Sequence, residues 1–280
     1  MLSRRDLFAA MAALAVPSWS GDGPVIRGRA VFDRLLEQSE REGWAVLSLG
    51  DCIGKVGLAL LGTPYVGGTL ERPDGRELCT LDLQGLDCVT LFETSLNFAR
   101  MLRMKQSTVE SLAARIEQTR YRDGKREDYL SRLHYTLDWF ANNEEKGYIR
   151  ILTPNLPGSR RFEKRLTFMS DHPGSYPALR SGDLGRLRKL ESTATGKGFF
   201  CVPMSDVEGA EPLLQTGDIV GWATSVEGLD IAHTGLILRD EAGPRFLHAS
   251  SRMKKVVLDE RVSRYEAGRN IVGLVVARPI

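Results

Sequence analysis

The sequence has few cysteines, almost no net charge and no long apolar run, and each shortage excludes a class of protein. Four cysteines in 280 residues are too few and too widely spaced for a disulfide scaffold, and none has the Cys-x-x-Cys spacing of a zinc site. A net charge of +2, from 38 basic and 36 acidic residues, gives no electrostatic footprint for nucleic acid. No apolar run approaches the ~20 residues that span a bilayer. We therefore expect no nucleic-acid partner and no membrane span in the mature protein.

The first residues form a segment of their own. Arg4 and Arg5 precede a short apolar stretch at 7–16, and the segments 13–15 and 18–20 each offer a cleavage site. A twin arginine before a short apolar region is typical of a Tat-type export signal, and the alternative is a short amphipathic start. We predict a signal peptide over 1–20, a single mature domain over 21–280, and a periplasmic or extracellular location.

Apolar periodicity predicts an α+β protein whose helices precede its strands. Apolar residues at helical spacing predict helices at 30–42, 51–61, from residue 88 onward, at 108–120 and at 127–142. Short apolar runs bounded by glycine, proline and acidic residues predict an antiparallel sheet with strands at 199–202, 218–222, 233–238, 246–249, 255–258 and 271–277. The periodicity fades over 151–198, so we predict a long ordered insertion at about 120–198.

One cysteine and two histidines occupy sequence positions that suit the active site of a thiol hydrolase. Cys88 opens a predicted helix, where unpaired N–H groups and the helix dipole stabilise a thiolate. With a histidinium beside it, we expect the thiol pKa to fall from ~8.5 to roughly 3.5–7.5. His233 and His248 lie on neighbouring predicted strands, where side chains on one face come within about 5 Å. The three suit the roles of nucleophile, base and orienting group, and the alternative is two packed strand histidines.

Five segments follow one another in an order that a known family shares. They are the glycine-rich turn at 61–68, the dipeptide Asp87-Cys88, and strand segments at 214–220, 233–237 and 247–249. In this the chain resembles the NlpC/P60 superfamily of papain-like cysteine peptidases, which act on bacterial cell-wall peptides. The resemblance implies a papain-like NlpC/P60 fold in which a helical N-terminal half packs its nucleophile helix on an antiparallel β-sheet. Val89 follows the nucleophile where many relatives carry serine, which leaves branch and specificity open.

Further segments at 129–139, 166–170 and 228–230 resemble the DUF1460 branch of that superfamily, and the likeness covers roughly residues 50–280. The resemblance implies an N-acetylmuramoyl-L-alanine amidase that acts on peptidoglycan fragments. It also implies that Cys88 attacks the amide carbonyl, that His233 acts as base and then as acid, and that His248 orients His233. No metal or organic cofactor is expected. The sequence leaves the sugar form and the oligomeric state open.

Four more residues are candidates for substrate or oxyanion contacts. The Tyr65 hydroxyl and the backbone N–H of the nucleophile are the natural oxyanion donors. Asp87 either holds the substrate peptide or caps the helix. Arg132 and His134 are site candidates from the DUF1460 resemblance. The alternative for His134 is a core position, since it shares the apolar face of the helix predicted at 127–142.

Cys52 competes with Cys88, because it also follows an aspartate near a predicted helix start. The glycine-rich turn follows Cys52 but precedes Cys88, which favours Cys88 as the nucleophile. Two other functions stay open. One is an endopeptidase that cuts between γ-D-glutamate and the diamino acid, and the other is a non-catalytic cell-wall binding module. The intact set of Cys88, His233 and His248 argues against the binding module.

Overall fold

The computed structural model describes residues 22–72, 74–179, 181–265, 268 and 270–280. The predicted signal peptide lies outside the described residues. Within them the longer helices come first and most of the strands afterwards, which confirms the α+β prediction. No helix in these ranges combines the length and the apolar character needed to cross a membrane.

Eight helices occur in the described part of the chain, and the predicted helices at 30–42, 51–61, from 88 and at 108–120 correspond to the first four. They are α1 (Arg29–Arg41), α2 (Leu49–Ala59), α3 (Cys88–Arg103), α4 (Val109–Arg120), α5 (Thr136–Glu145), α6 (Phe168–Asp171), α7 (Leu184–Gly196) and α8 (Val207–Ala210). Helix α3 is buried along most of its length and contacts helices α2 and α4 as well as the sheet.

The prediction of one helix over 127–142 is wrong, because α5 begins only at Thr136. Asp128 forms a capping box with Ser131 that closes a single 3-10 turn. The chain then runs extended along the end of α4, where the Leu133 N–H donates to the Arg120 carbonyl over 2.9 Å. Competing local hydrogen bonds therefore overrode the helical spacing of the apolar residues.

Helix α7 lies in the segment where the sequence showed no clear periodicity. Its inner face carries Glu191, which is buried and accepts a hydrogen bond from the Tyr135 hydroxyl over 2.7 Å. The Ser170 N–H donates to the same carboxylate over 3.1 Å. A charged residue at a core-facing position interrupts the apolar pattern, so the sequence did not predict this helix. The boundaries of the insertion at about 120–198 stay a prediction.

All six predicted strands are present in an eight-stranded sheet of the described residues. The strands are β1 (Val25–Arg27), β2 (Thr80–Asp82), β3 (Ile149–Ile151), β4 (Arg160–Phe162), β5 (Phe199–Pro203), β6 (Ile219–Thr224), β7 (Ile231–Asp240), β8 (Gly243–Ser250), β9 (Lys255–Arg261) and β10 (Ile271–Pro279). The order of the sheet is β4-β5-β10-β6-β7-β8-β9, β3 also pairs with β10, and neighbours are antiparallel. Strands β1 and β2 form a separate parallel pair.

Both faces of the sheet are covered. Helix α3 packs against β7 and β8 on one face. Gly57 lets α2 approach the same face, since a Cβ there would lie 2.3 Å from a methyl carbon of Leu247. On the other face, Trp222 and Phe246 belong to a second apolar cluster that also includes Val207 of α8. Helix α3, which begins at Cys88, therefore packs on an antiparallel sheet, as predicted.

Candidate active site

Cys88 is the first residue of α3, and Asp87 is the N-cap. The Asp87 carboxylate accepts the N–H groups of Val89 at 3.1 Å and Thr90 at 2.8 Å, and the Thr90 hydroxyl accepts the Asp87 N–H at 2.8 Å. This capping box orients the first turn of the helix. Asp87 thus caps the helix, while its role toward substrate stays a prediction. The Cys88 side chain is partly exposed.

The glycine-rich turn at 61–68 brings Tyr65 to the same place. The Tyr65 N–H donates to the Lys254 carbonyl over 2.9 Å, and the Val66 N–H donates to the Leu86 carbonyl over 3.1 Å. The turn is therefore tied to the start of β9 and to the segment just before Cys88. Burial raises the pKa of Tyr65, and negative charge on Cys88 and Asp87 adds to the effect, so its hydroxyl keeps its proton at neutral pH.

His233 and His248 are hydrogen-bonded to each other. His233 Nε2 lies 2.7 Å from His248 Nδ1, and the two rings are nearly perpendicular. The hairpin of β7 and β8 joins them as predicted, but the register pairs Leu236 with Leu247. Continuing that register makes His233 and His248 diagonal neighbours rather than directly opposed, a separation that aromatic side chains bridge.

Thr234, next to His233, links the histidine strand to the thiol. Thr234 lies beside the thiol, and its side chain and backbone both act to lower the pKa of Cys88. The Thr234 hydroxyl is buried and has no hydrogen-bond partner among the described residues. The bond from His233 to His248 uses Nε2, which leaves Nδ1 of His233 for the proton of a nucleophile. The structure therefore brings Cys88, His233, His248 and Tyr65 into one region.

Asp259 is a residue that the sequence analysis missed. Its Oδ2 lies 3.3 Å from His248 Nε2, on the far side of that ring from His233. Asp259 stands on β9, whereas the predicted strand ended one residue earlier, at Leu258. Its spacing of two residues from Val257, the partner of His248, was the available signal, because residues i and i+2 share a face of a strand.

The resting site is uncharged at its thiol and its imidazoles. Burial, and after it the negative charge of Asp87, raise the pKa of Cys88 to about 11, although Thr234 acts in the opposite direction. Burial lowers the pKa of His233 to about 3 and also lowers that of His248. The expected low pKa of the thiol is thus wrong, because desolvation outweighs the helix N-terminus. The geometry suits a base that takes the thiol proton during attack.

A cleft of about 500 Å³ opens beside the histidine pair. Its lining includes both histidines, Arg252, Asp259 and Tyr265. The ring of Tyr265 stacks on that of His233 at 6.4 Å and lies 5.3 Å from that of His248. The cleft is large enough for a drug-sized ligand and offers groups of both charges.

Arg132 and His134 lie elsewhere and do not line this cleft. Arg132 is buried, donates to the Leu70 carbonyl over 2.9 Å and pairs with Glu71, so it fastens the segment that follows the Tyr65 turn. His134 Nε2 lies 2.7 Å from the Tyr129 carbonyl, and burial lowers the pKa of His134 to about 3. A substrate role for the two residues stays a prediction.

The other three cysteines are buried and free. Cys52 is not at a helix start, since α2 begins at Leu49 and the Cys52 N–H already donates to the Ser48 carbonyl over 3.0 Å. Burial raises the pKa of Cys52 to about 11. Cys52 has none of the partners that surround Cys88.

Comparison with family models gives one match, to the AmiA-like family described as N-acetylmuramoyl-L-alanine amidase-like, over residues 55–271. The chain belongs to this family. The match spans both Asp87-Cys88 and the two histidines. Membership in the amidase-like family supports a hydrolase that acts on amide bonds. The search among curated proteins found no match.

The similar solved structures include one that is named as an amidase. An N-acetylmuramoyl-L-alanine amidase from Bacteroides uniformis is 30% identical, with a TM-score of 0.76, and the match covers 84% of this chain and 100% of that one. A Bacteroides fragilis protein named as a candidate xylanase is 31% identical, with a TM-score of 0.71, over 79% of this chain and 98% of that one. A Legionella pneumophila protein with the DUF1460 family model is 18% identical, with a TM-score of 0.66, over 90% of this chain and 95% of that one, which shows the fold alone.

Proposed function

We propose that this chain is an exported cysteine amidase of the papain-like NlpC/P60 fold. Its substrate would be the amide between N-acetylmuramic acid and L-alanine in peptidoglycan fragments. The observation that carries the proposal is the 2.7 Å hydrogen bond between His233 and His248, together with the position of Thr234, the residue after His233, beside the Cys88 thiol. Family membership and the Bacteroides uniformis amidase support the reaction class. Export rests on the twin arginine at Arg4 and Arg5.

The proposed reaction starts from the neutral thiol and imidazole. His233 Nδ1 accepts the Cys88 proton as Sγ attacks the amide carbonyl, and the resulting oxyanion accepts hydrogen bonds from the Cys88 N–H and the Tyr65 hydroxyl. The tetrahedral intermediate collapses, and His233 returns the proton to the amine of L-alanine as it leaves. A thioester between Cys88 and the lactyl group of muramic acid remains. Water, deprotonated by His233, hydrolyses it and releases the free acid.

A γ-D-glutamyl to diamino-acid endopeptidase would use the same thiol and histidines. The two enzymes differ only in the bond that is placed over Cys88, and the products distinguish them. A non-catalytic wall-binding module is a weaker alternative, because binding alone has no need of a hydrogen-bonded histidine pair beside a free thiol.

Mass spectrometry of defined muropeptides, incubated with the mature protein, tests the proposal. We expect a free peptide that begins with L-alanine and its loss in Cys88→Ala. Cys201→Ala is the matched control, since it removes a buried thiol away from the cleft. Release of muramoyl-L-Ala-D-Glu would favour the endopeptidase. Absence of any product, with muropeptide binding kept in Cys88→Ala, would overturn the enzyme proposal.

A further inference from the structure

We propose that Asp259 is a positioning residue that fixes which ring nitrogens of His248 and His233 carry protons. Asp259 is hydrogen-bonded to His248, and His248 is hydrogen-bonded to His233. Through these two bonds Asp259 would hold His233 ready to accept the thiol proton at Nδ1. The inference rests on the proposed function, because it assigns the machinery behind the proposed base. It extends the predicted group of three residues by a fourth.

Several contacts hold Asp259 in place. Its Oδ2 lies 3.3 Å from His248 Nε2, and its Oδ1 accepts the Glu260 N–H over 2.8 Å. Arg245, on β8, donates through Nε to the Asp259 carbonyl over 3.0 Å. The register of β8 and β9 shifts here, since Arg245 pairs with Arg261 and Leu247 with Leu258. Two residues of β9 thus oppose one of β8, a bulge of the kind that re-aims side chains next to active sites.

The hydrogen-bond chain has only one consistent proton arrangement while Asp259 is ionised. A carboxylate only accepts, so His248 Nε2 must carry a hydrogen and donate it. A neutral imidazole has one N–H, so His248 Nδ1 is then the acceptor for His233 Nε2. His233 therefore carries its hydrogen on Nε2 and presents a lone pair at Nδ1. This is the tautomer that a general base at Nδ1 requires.

Asp259 also acts by its charge. Burial lowers the pKa of His248, the hydrogen bond and charge of Asp259 raise it, and Arg252 lowers it. The other titratable groups that line the same cleft are Glu260, Arg264 and Tyr265. Negative charge on Cys88, at the start of helix α3, would raise the pKa of Tyr265. When the thiol proton moves to His233, the new positive charge on the pair faces the Asp259 carboxylate. Removal of Asp259 therefore makes proton transfer from the thiol harder.

The test measures Cys88 alkylation by iodoacetamide against pH, with the modified peptide identified by mass spectrometry. In Asp259→Leu we expect the profile to move to higher pH by about one unit or more, the usual effect of one charge at this range. We expect kcat on muropeptides to fall by about 10- to 100-fold with little change in KM, by analogy with carboxylates that orient metal-bound histidines. Glu241→Gln, which removes a carboxylate at the exposed turn between β7 and β8, is the matched control.

Asp259→Asn removes the charge but keeps the size and an acceptor oxygen, so it separates the effect of charge from that of the tautomers. An Asp259→Leu profile that superimposes on wild type or on Glu241→Gln would overturn the inference, and Asp259→Ala takes its place if the leucine variant does not fold. Alkylation needs no substrate, so it is independent of the bond that the enzyme cuts. A wild-type protein that turns over no muropeptide, but whose alkylation profile depends on Asp259, would overturn the proposed function and leave this inference standing.

Discussion

His248 faces Gly235 across the hairpin of β7 and β8, and no side chain fits at that position. A Cβ on Gly235 would lie 2.6 Å from the Leu247 carbonyl oxygen, 2.6 Å from Phe246 Cε2 and 2.9 Å from His248 Cβ. Real Cβ atoms do not approach backbone and ring atoms so closely, so the strand or the histidine must move. The glycine two residues after His233 is thus a requirement of the histidine pair.

We predict that Gly235→Ala loses most of its muropeptide hydrolysis, because displacement of His248 breaks its 2.7 Å bond to His233. Overpacking at such a site also costs about 1–3 kcal/mol of unfolding free energy. Turnover assays and urea unfolding measure both effects. The matched control is Gly185→Ala in helix α7, where the added methyl meets no atom within 4 Å. Equal activity in the two variants would contradict the argument.

The residues of the candidate site differ in how well the sequence alone could predict them. Cys88 could be placed at a helix start because the apolar spacing after it is clear, and the histidines could be placed on strands because the runs around them are apolar. Asp259 was missed because the predicted strand ended at Leu258, and because the pairing of His248 with Val257, which makes the spacing of Asp259 meaningful, is known only from the structure.

Helices α3 and α4 are joined by a buried ion pair. Arg120 and Glu93 lie 2.8 Å apart with side chains 4% and 0% exposed. Trp139 of α5 donates its Nε1–H to Glu93 over 3.0 Å, and Arg120 donates to the Thr80 carbonyl of β2 over 2.6 Å. The pair therefore fixes helix α3 relative to two other helices and a strand.

We expect Glu93→Gln to lower the unfolding free energy by about 3–5 kcal/mol, because it leaves the buried guanidinium without its counter-charge. Denaturant unfolding followed by circular dichroism measures the loss. The comparison variant is Glu110→Gln, which breaks the surface pair with Arg29, where the side chains are 40% and 60% exposed. That change should cost less than ~1 kcal/mol. Similar losses in both variants would refute the argument.

Helices and strands could be predicted from the sequence where one of their faces is simply apolar. The prediction failed where a buried polar group interrupts the apolar pattern. The six strands and four helices belong to the first kind. Helix α7, with Glu191 turned inward, and the segment from Asp128 to Tyr135, shaped by caps and bridges, belong to the second.

Across the whole molecule, buried histidines couple stability to pH. Burial lowers the pKa of His134 and His233 to about 3, and it also lowers that of His248. The unfolded chain binds protons on these groups below about pH 6.5, whereas the folded chain does not. Their contribution to stability is therefore complete above about pH 6.5 and is lost as pH falls toward 3.

The pKa values of carboxyl groups shift in both directions and also contribute to the pH dependence of stability. A comparison between variants is therefore the cleanest test of the histidines. Burial raises the pKa of Asp230 to about 6, for example, which works against the histidines. We predict that wild type loses stability relative to His134→Gln as pH falls from about 7 to about 4. Glutamine keeps an N–H for the Tyr129 carbonyl but takes up no proton. Urea titrations over this range measure the difference, and His172→Gln, at an exposed turn, is the control. A pH-independent difference for His134→Gln would count against the linkage.

Strand β10 supplies the last described segment of the chain, yet it lies in the middle of the sheet, between β5 and β6, and also pairs with β3. The two sides of the sheet stay unconnected until residues 271–279 have left the ribosome. Contacts of such long sequence separation form slowly. Loss of β10 would therefore separate strands β3, β4 and β5 from strands β6 to β9, two of which carry His233 and His248.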